Sequence, residues 1–165
     1  MSSEIFVRRL TPADAALYRE IRLEALATNP EAFSSTFAAE NAQPLPWFAD
    51  RLGNSAVFAA FDGQQAVGIA AFFVRPGDAR QGEGVLVGMY VRPDARRAGI
   101  GRRLVAAVIE QSSLQVNSLH LTVMGGNAPA RRLYLSAGFA ECGRAGDEVM
   151  MAKTLSPIDN IAIKC

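Results

Sequence analysis

The residues best suited to chemistry lie between Val85 and Glu110. An apolar, β-rich run, Val85-Leu-Val-Gly-Met-Tyr-Val91, passes through Arg92-Pro-Asp-Ala95 into Arg96-Arg-Ala-Gly99-Ile-Gly101, and the helix-like Arg102-Arg-Leu-Val-Ala-Ala-Val-Ile-Glu110 follows. A strand, a turn and glycines at the mouth of a helix leave backbone N–H groups without intrahelical partners, and such groups attract phosphate. A bare Gly-x-Gly begins many helices, so the context carries the reading: the strand ends just before the loop, and Arg96, Arg97, Arg102 and Arg103 crowd around it. A Walker-type lysine is absent, as is the third glycine of a dinucleotide loop with its ribose-binding acid. The pattern fits a pyrophosphate held by backbone and arginine, with no metal.

The elements that must position this loop can be read along the chain. Glu4 to Leu10 suits an edge strand, and Thr11-Pro12-Ala-Asp14 supplies a cap and a first-turn proline for a helix over Pro12 to Ala27. Asn29-Pro30 ends that helix, because the residue before proline avoids helical angles. From Thr28 to Asp50 the pattern is broken and partly helical, with Glu31, Glu40 and Asp50 but no lysine or arginine, and with Phe33, Phe37, Trp47 and Phe48. Ala56–Phe61 and Val67–Val74 flank Asp62-Gly63 and predict a hairpin. A loop from Arg75 to Gly82 leads to the Val85 strand. The helix after Gly101 presents Ile100, Leu104 and Val108 to a core, and its crossover makes Ser118–Met124 parallel to the Val85 strand. Asn127–Ala137 reads as a second helix, with Ala130, Leu133, Tyr134 and Ala137 on one face and Gly138 as its stop. Phe139–Arg144 and Glu148–Thr154 close as a hairpin around Ala145-Gly146-Asp147.

Composition bounds the setting. At 165 residues and 50% hydrophobic, the chain fits one α/β domain over 1–155, with 156–165 as a C-terminal tail. Apolar runs are too short to span a membrane and the start lacks a secretory segment, so a soluble cytoplasmic protein is expected. A net charge of +1 gives no pull toward nucleic acid or membranes. Cys142, Cys165 and the single His120 have no metal-ligand spacing, and neither a metal site nor a disulfide framework is expected.

Two motifs together resemble a known family. Arg96-x-x-Gly99-x-Gly101 is similar to the Arg/Gln-x-x-Gly-x-Gly/Ala motif of the GNAT superfamily of acyl-CoA-dependent N-acetyltransferases, and Asn127-x-x-Ala130-x-x-Leu133-Tyr134-x-x-x-Gly138-Phe139 is similar to its second motif. The resemblance covers Ile5 to Leu155 and is weakest from Thr28 to Asp50. It implies the GNAT fold, a mixed central sheet of six to seven strands with about four helices, in which two parallel strands splay apart at the coenzyme site. It also implies acetyl-CoA as co-substrate, without a metal.

The resemblance implies roles residue by residue. Arg96, Arg97, Ala98, Gly99, Ile100, Gly101 and Arg102 would hold the coenzyme pyrophosphate. Met89, Tyr90 and Val91 would line the pantetheine arm, with Asn127 and Ala130 on its other side. Tyr134 would sit near the sulfur and protonate the departing thiolate, although an aromatic on that apolar helix face also reads as core. Relatives often carry a glutamate base where this chain has Val85 or Thr122. Glu83, two residues before Val85 and on its face if pairing persists that far, is the leading candidate for base or water relay, and His120 shares parity with Thr122. The acceptor groove falls to Glu20, Glu24, Phe33, the Thr28–Asp50 segment and Glu148, whose acidic and aromatic bias suits a cationic amine on a small molecule or peptide, while the same carboxylates also read as a solvated face. A homodimer is compatible with the family. The activity implied is acetyl transfer from acetyl-CoA to a primary amine by direct attack in a ternary complex; the alternative, raised by the missing carboxylates, is a non-catalytic acyl-CoA-binding sensor or scaffold.

Overall fold

The computed structural model describes residues 4–76 and 82–155, with Arg97 described by its backbone alone. The expected tail, 156–165, and most of the loop after Arg75 lie outside the described residues. Strands β1 (Ile5–Arg9), β2 (Ala56–Asp62), β3 (Gln65–Val74), β4 (Glu83–Val91), β5 (Ser118–Met124), β6 (Ala140–Ala145) and β7 (Glu148–Thr154) form one mixed sheet in the order β1-β2-β3-β4-β5-β7-β6. Four longer helices, α1 (Ala15–Thr28), α3 (Leu45–Asn54), α4 (Ile100–Ser112) and α5 (Ala128–Ser136), accompany a single-turn α2 (Phe37–Asn41). The α/β architecture expected from the sequence is present.

Local chemistry explains several boundaries. The Thr11 N–H donates to Asp14 Oδ2 at 2.7 Å, which tightens Pro12–Asp14 into a 3-10 turn and delays α1 to Ala15, later than the sequence pattern placed it. Arg8 grips the same carboxylate with two hydrogen bonds of 3.0 and 2.9 Å. The hairpin turn falls on Gly63-Gln64, one residue beyond the Asp62-Gly63 signal, because Asp62 still pairs with Ile5. Broken helicity after Thr28 resolves into a 3-10 turn at Pro30–Ala32 followed by α2 and α3.

The β1–β2, β5–β7 and β6–β7 pairs are antiparallel, and β4 pairs with β5 in parallel. That parallel register runs Glu83↔Ser118, Gly84↔Leu119, Val85↔His120 and stops there, while β4 continues to Val91 and β5 to Met124. The strands therefore splay, as the resemblance implied. Gly88, with φ 65°, lies just beyond the last register pair, where β4 must turn its backbone away from ordinary strand geometry.

The chain divides into two compact units, Met1–Ala71 with Gly88–Leu104 and Phe72–Val87 with Val105–Cys165. The core of the first unit includes Leu10, Tyr18, Ile21, Phe48, Phe61 and Ile69. Gly68 on β3 lies under the first turn of α4: a Cβ there would stand 3.0 Å from Leu104 Cδ1, 3.1 Å from the Tyr90 carbonyl and 3.2 Å from Ile100 Cγ2. In the second unit Val105, Val108, Leu119, Leu121, Val149 and Met151 are buried. Cys142 on β6 is disulfide-bonded, contrary to the expectation that the cysteines form no disulfide, because sequence spacing does not report proximity. The other cysteine, Cys165, lies outside the described residues. No described helix is long and apolar enough to cross a membrane.

Candidate active site

The loop singled out by the sequence is a 3-10 helix over Pro93–Ala98, followed by Gly99 in the left-handed region at φ 70° and ψ 18° and then α4. Space beside Gly99 is open, with nothing within 4 Å of an added Cβ, so backbone conformation rather than crowding requires glycine there. The first bond across the start of α4 runs from Arg103 N–H to the Gly99 carbonyl at 3.2 Å. The N–H groups of Ile100, Gly101 and Arg102 precede it and project from the helix mouth. Ile100 and Leu104 are buried and anchor that mouth.

The expected crowd of arginines disperses. Arg96 Nε donates to the Val91 carbonyl at 3.0 Å, and its Nη2 donates to the Asn29 side-chain oxygen at 3.1 Å when the Asn29 amide nitrogen donates to Thr28. Arg103 Nη1 donates to the Ile5 carbonyl at 2.6 Å. These two side chains shape the loop and tie down α4, which leaves the exposed Arg102 to face solvent beside the helix mouth. The side chain of Arg97 lies outside the described residues.

Along β4, Met89 and Val91 are half-buried and Tyr90 is buried on the opposite face. The Tyr90 hydroxyl donates to Glu24 Oε2 at 2.8 Å, and Arg92 Nε lies 3.4 Å from the same oxygen. Burial, more than the neighbouring Glu24 charge, holds the Tyr90 phenol above its usual value. Glu24, expected in the acceptor groove, is thus tied to the strand leading into the loop.

Helices α1–α3 contain a cluster that the sequence did not reveal. Arg22 Nε and Nη2 each donate to the Glu40 carboxylate at 2.9 Å, and Arg51 Nη1 approaches Glu40 Oε1 at 3.3 Å. Arg22 and Glu40 are buried. Burial pushes the Glu40 pKa up, but the Arg22 hydrogen bonds, a bond from Ser35 and the two guanidinium charges outweigh it and hold the carboxyl below its ordinary range. Arg22 lies 4.9 Å over the Phe33 ring, and Arg51 lies 4.9 Å over Trp47. Glu40, counted in the acidic bias of the segment, is neutralised by arginines 18 and 11 residues away. No local signal could have found that pairing, because its partners lie on α1 and α3.

In the second unit, pairing on β4 does persist to Glu83, which places it on the face of Val85. Its carboxylate lies 3.7 Å from Arg75 Nε. Val85 faces His120 in the register; His120 is buried, and its Nε2 is 2.9 Å from the Ser118 hydroxyl. On α5, the Asn127 side-chain oxygen accepts from Ala130 N–H at 3.3 Å and caps the helix. Tyr134 is buried edge-to-face against Phe139, with ring centroids 5.9 Å apart, and burial alone pushes its phenol far above the usual range. Arg131 holds both the Gly125 carbonyl and Glu141, which ties α5 to the loop before it and to β6. Among the described residues no group of His, Cys, Asp or Glu could hold a metal ion.

Comparison with known proteins adds the family. A GNAT-family acetyltransferase from Streptococcus pneumoniae superposes with a TM-score of 0.78 at 20% identity, over 93% of this chain and all (100%) of that one. Ribosomal-protein-alanine N-acetyltransferase from Brucella melitensis is 26% identical, with a TM-score of 0.71 over 90% of this chain and 99% of its own. The Salmonella typhimurium protein yncA, solved with its cofactor acetyl-CoA, is 22% identical, with a TM-score of 0.73 over 98% of this chain and 99% of that one. No curated protein sequence matches. The model of the acetyltransferase (GNAT) family matches residues 17–139, and the chain belongs to that family.

Proposed function

We propose that the protein transfers an acetyl group from acetyl-CoA to a primary amine by direct attack in a ternary complex. The observation that carries this reading is the early end of the β4–β5 register: β4 runs on past Val85 with an edge that β5 does not pair, and then leads into the open N-terminus of α4. An unpaired strand edge offers N–H and C=O groups to the amides of a pantetheine arm, and an open helix mouth offers N–H groups to a pyrophosphate. In this reading Met89 and Val91 hold the arm, and the backbone of 96–101 and Arg102 hold the phosphates.

The chemistry assigns a task to each group. An alkylammonium has a pKa near 10, so it must lose a proton before its nitrogen can attack the thioester carbonyl. As the C–N bond forms and the C–S bond breaks, the leaving thiolate needs a proton. Tyr134 keeps its proton throughout the neutral range because burial raises its pKa, so it donates a hydrogen bond to the departing sulfur and passes its proton on only as the proton released by the amine, relayed through water, restores the phenol. Proton removal from the amine goes through water toward Glu83.

Release of free thiol from acetyl-CoA, measured with a chemically diverse panel of amines, tests the reading. We expect turnover with a subset of the panel. Tyr134→Phe is expected to lower kcat by about a hundredfold with acetyl-CoA affinity nearly unchanged. Coenzyme binding with silence across the whole panel would favour a non-catalytic module, and unchanged turnover in the variant removes Tyr134 from the mechanism.

A further inference from the structure

We propose that Arg22 and Arg51 form a subsite for an anionic group on the acceptor, so that the preferred substrate is an amine carrying a carboxylate rather than a polyamine. The proposal rests on the acetyl-transfer reading above and names the substrate class for it. Two guanidinium groups converge on the Glu40 carboxylate, so Arg22, Arg51 and Glu40 together carry one positive charge in excess. Neutralising Glu40 needs one cation, and the bidentate Arg22 pair already supplies it. A buried pair of this kind is costly to desolvate and often no more stable than apolar packing, so a second arginine calls for another role.

Geometry indicates where the spare donors point. Arg22 spends Nε and Nη2 on Glu40 and leaves Nη1, which lies 3.3 Å from the position a Cβ would take on Gly88. Gly88 is the β4 residue at φ 65°, next to Met89, so the guanidinium tip meets bare backbone on the strand proposed to hold the acyl donor. A side chain at Gly88 would take that space. Arg51 uses only Nη1, from 3.3 Å, and with its side chain 37% exposed it retains donors that a ligand can reach. Phe33 and Trp47 lie under the two guanidinium planes, fixing their orientation and lowering the local dielectric in which they act. Planar guanidinium groups match a carboxylate with paired hydrogen bonds, whereas they repel the second ammonium of a polyamine.

The test measures binding of product pairs to the full chain in the presence of coenzyme A, by calorimetry. N-acetyl-L-phenylalanine is compared with N-acetylphenethylamine, and N-acetyl-L-leucine with N-acetylisoamylamine, each pair differing by one carboxylate. The carboxylate member is expected to bind at least about tenfold more tightly. Arg51→Gln, which leaves the buried pair intact, is expected to cut that advantage to about threefold or less with the coenzyme A Kd unchanged. The double variant Arg22→Gln with Glu40→Gln, which removes the buried pair as a unit, is expected to do the same. Equal binding within each pair, failure of all four products to bind, or an advantage that survives in both variants overturns the subsite. Failure of coenzyme A to bind the wild-type chain overturns the acetyl-transfer reading itself, and the subsite with it.

Discussion

In the proposed reading, the loop at 96–101 and the α1–α3 cluster recognise charge by opposite means. The loop offers backbone N–H groups aimed by Gly99 and the start of α4, while Arg96 in the loop and Arg103 on α4 brace the scaffold. The cluster offers side-chain guanidinium groups, oriented by a buried carboxylate and by aromatic rings. Backbone recognition depends on conformation and tolerates varied side chains around it. Side-chain recognition depends on tertiary pairing, and its charge balance changes with a single substitution.

That contrast can be broken from either side. The largest effect is expected for Glu40→Ala, which leaves Arg22 buried without its carboxylate and costs about 3–5 kcal/mol in urea unfolding; a loss under 1 kcal/mol would show that Arg22 finds water or another partner. Gly99→Val meets no steric clash but forces a β-branched residue into the left-handed region, so about 1–3 kcal/mol of stability and roughly tenfold in coenzyme A affinity are expected to go. Unchanged affinity would separate the loop's conformation from coenzyme binding.

Smaller effects sharpen the boundary between the two regions. Glu24→Gln weakens the contact that holds Tyr90 and Arg92, and about a threefold rise in coenzyme A Kd is expected with acceptor KM unchanged. A rise in acceptor KM instead would return Glu24 to the acceptor groove. The smallest effect concerns Asp14, whose pKa the Arg8 hydrogen bond lowers to about 2. A lowered carboxylate pKa stabilises the fold above the ordinary carboxylate range, and the contribution fades as pH falls from about 4 toward 2. Because Arg8 is largely exposed, Asp14→Asn is expected to remove under about 1 kcal/mol at neutral pH and to flatten the acid limb of the stability profile.

What the sequence disclosed follows the same division. Gly99, Gly101 and the spacing of Ile100, Leu104 and Val108 are local signals, and the turn, the helix and its buried face are where those signals place them. The splay of β4 from β5 came from the resemblance, because no residue pattern marks where a register ends. Glu24 and Tyr90 are separated by 66 residues, and nothing in either neighbourhood announces their hydrogen bond. The acidic character of 28–50 was correct as composition and misleading as electrostatics, since Arg22 and Arg51 lie just outside the window that was counted.

Gly68 sets how closely the first turn of α4 seats on β3. Its missing methyl group lets Leu104, Ile100 and the Tyr90 carbonyl settle directly onto β3. Larger residues at that position would act as a shim, lifting the first turn of α4 and with it the N–H groups proposed to meet the coenzyme pyrophosphate. The seating of the proposed phosphate loop is therefore stored on a strand that contributes no atom to it, and drift at Gly68 would shift the helix mouth while every loop residue stayed the same.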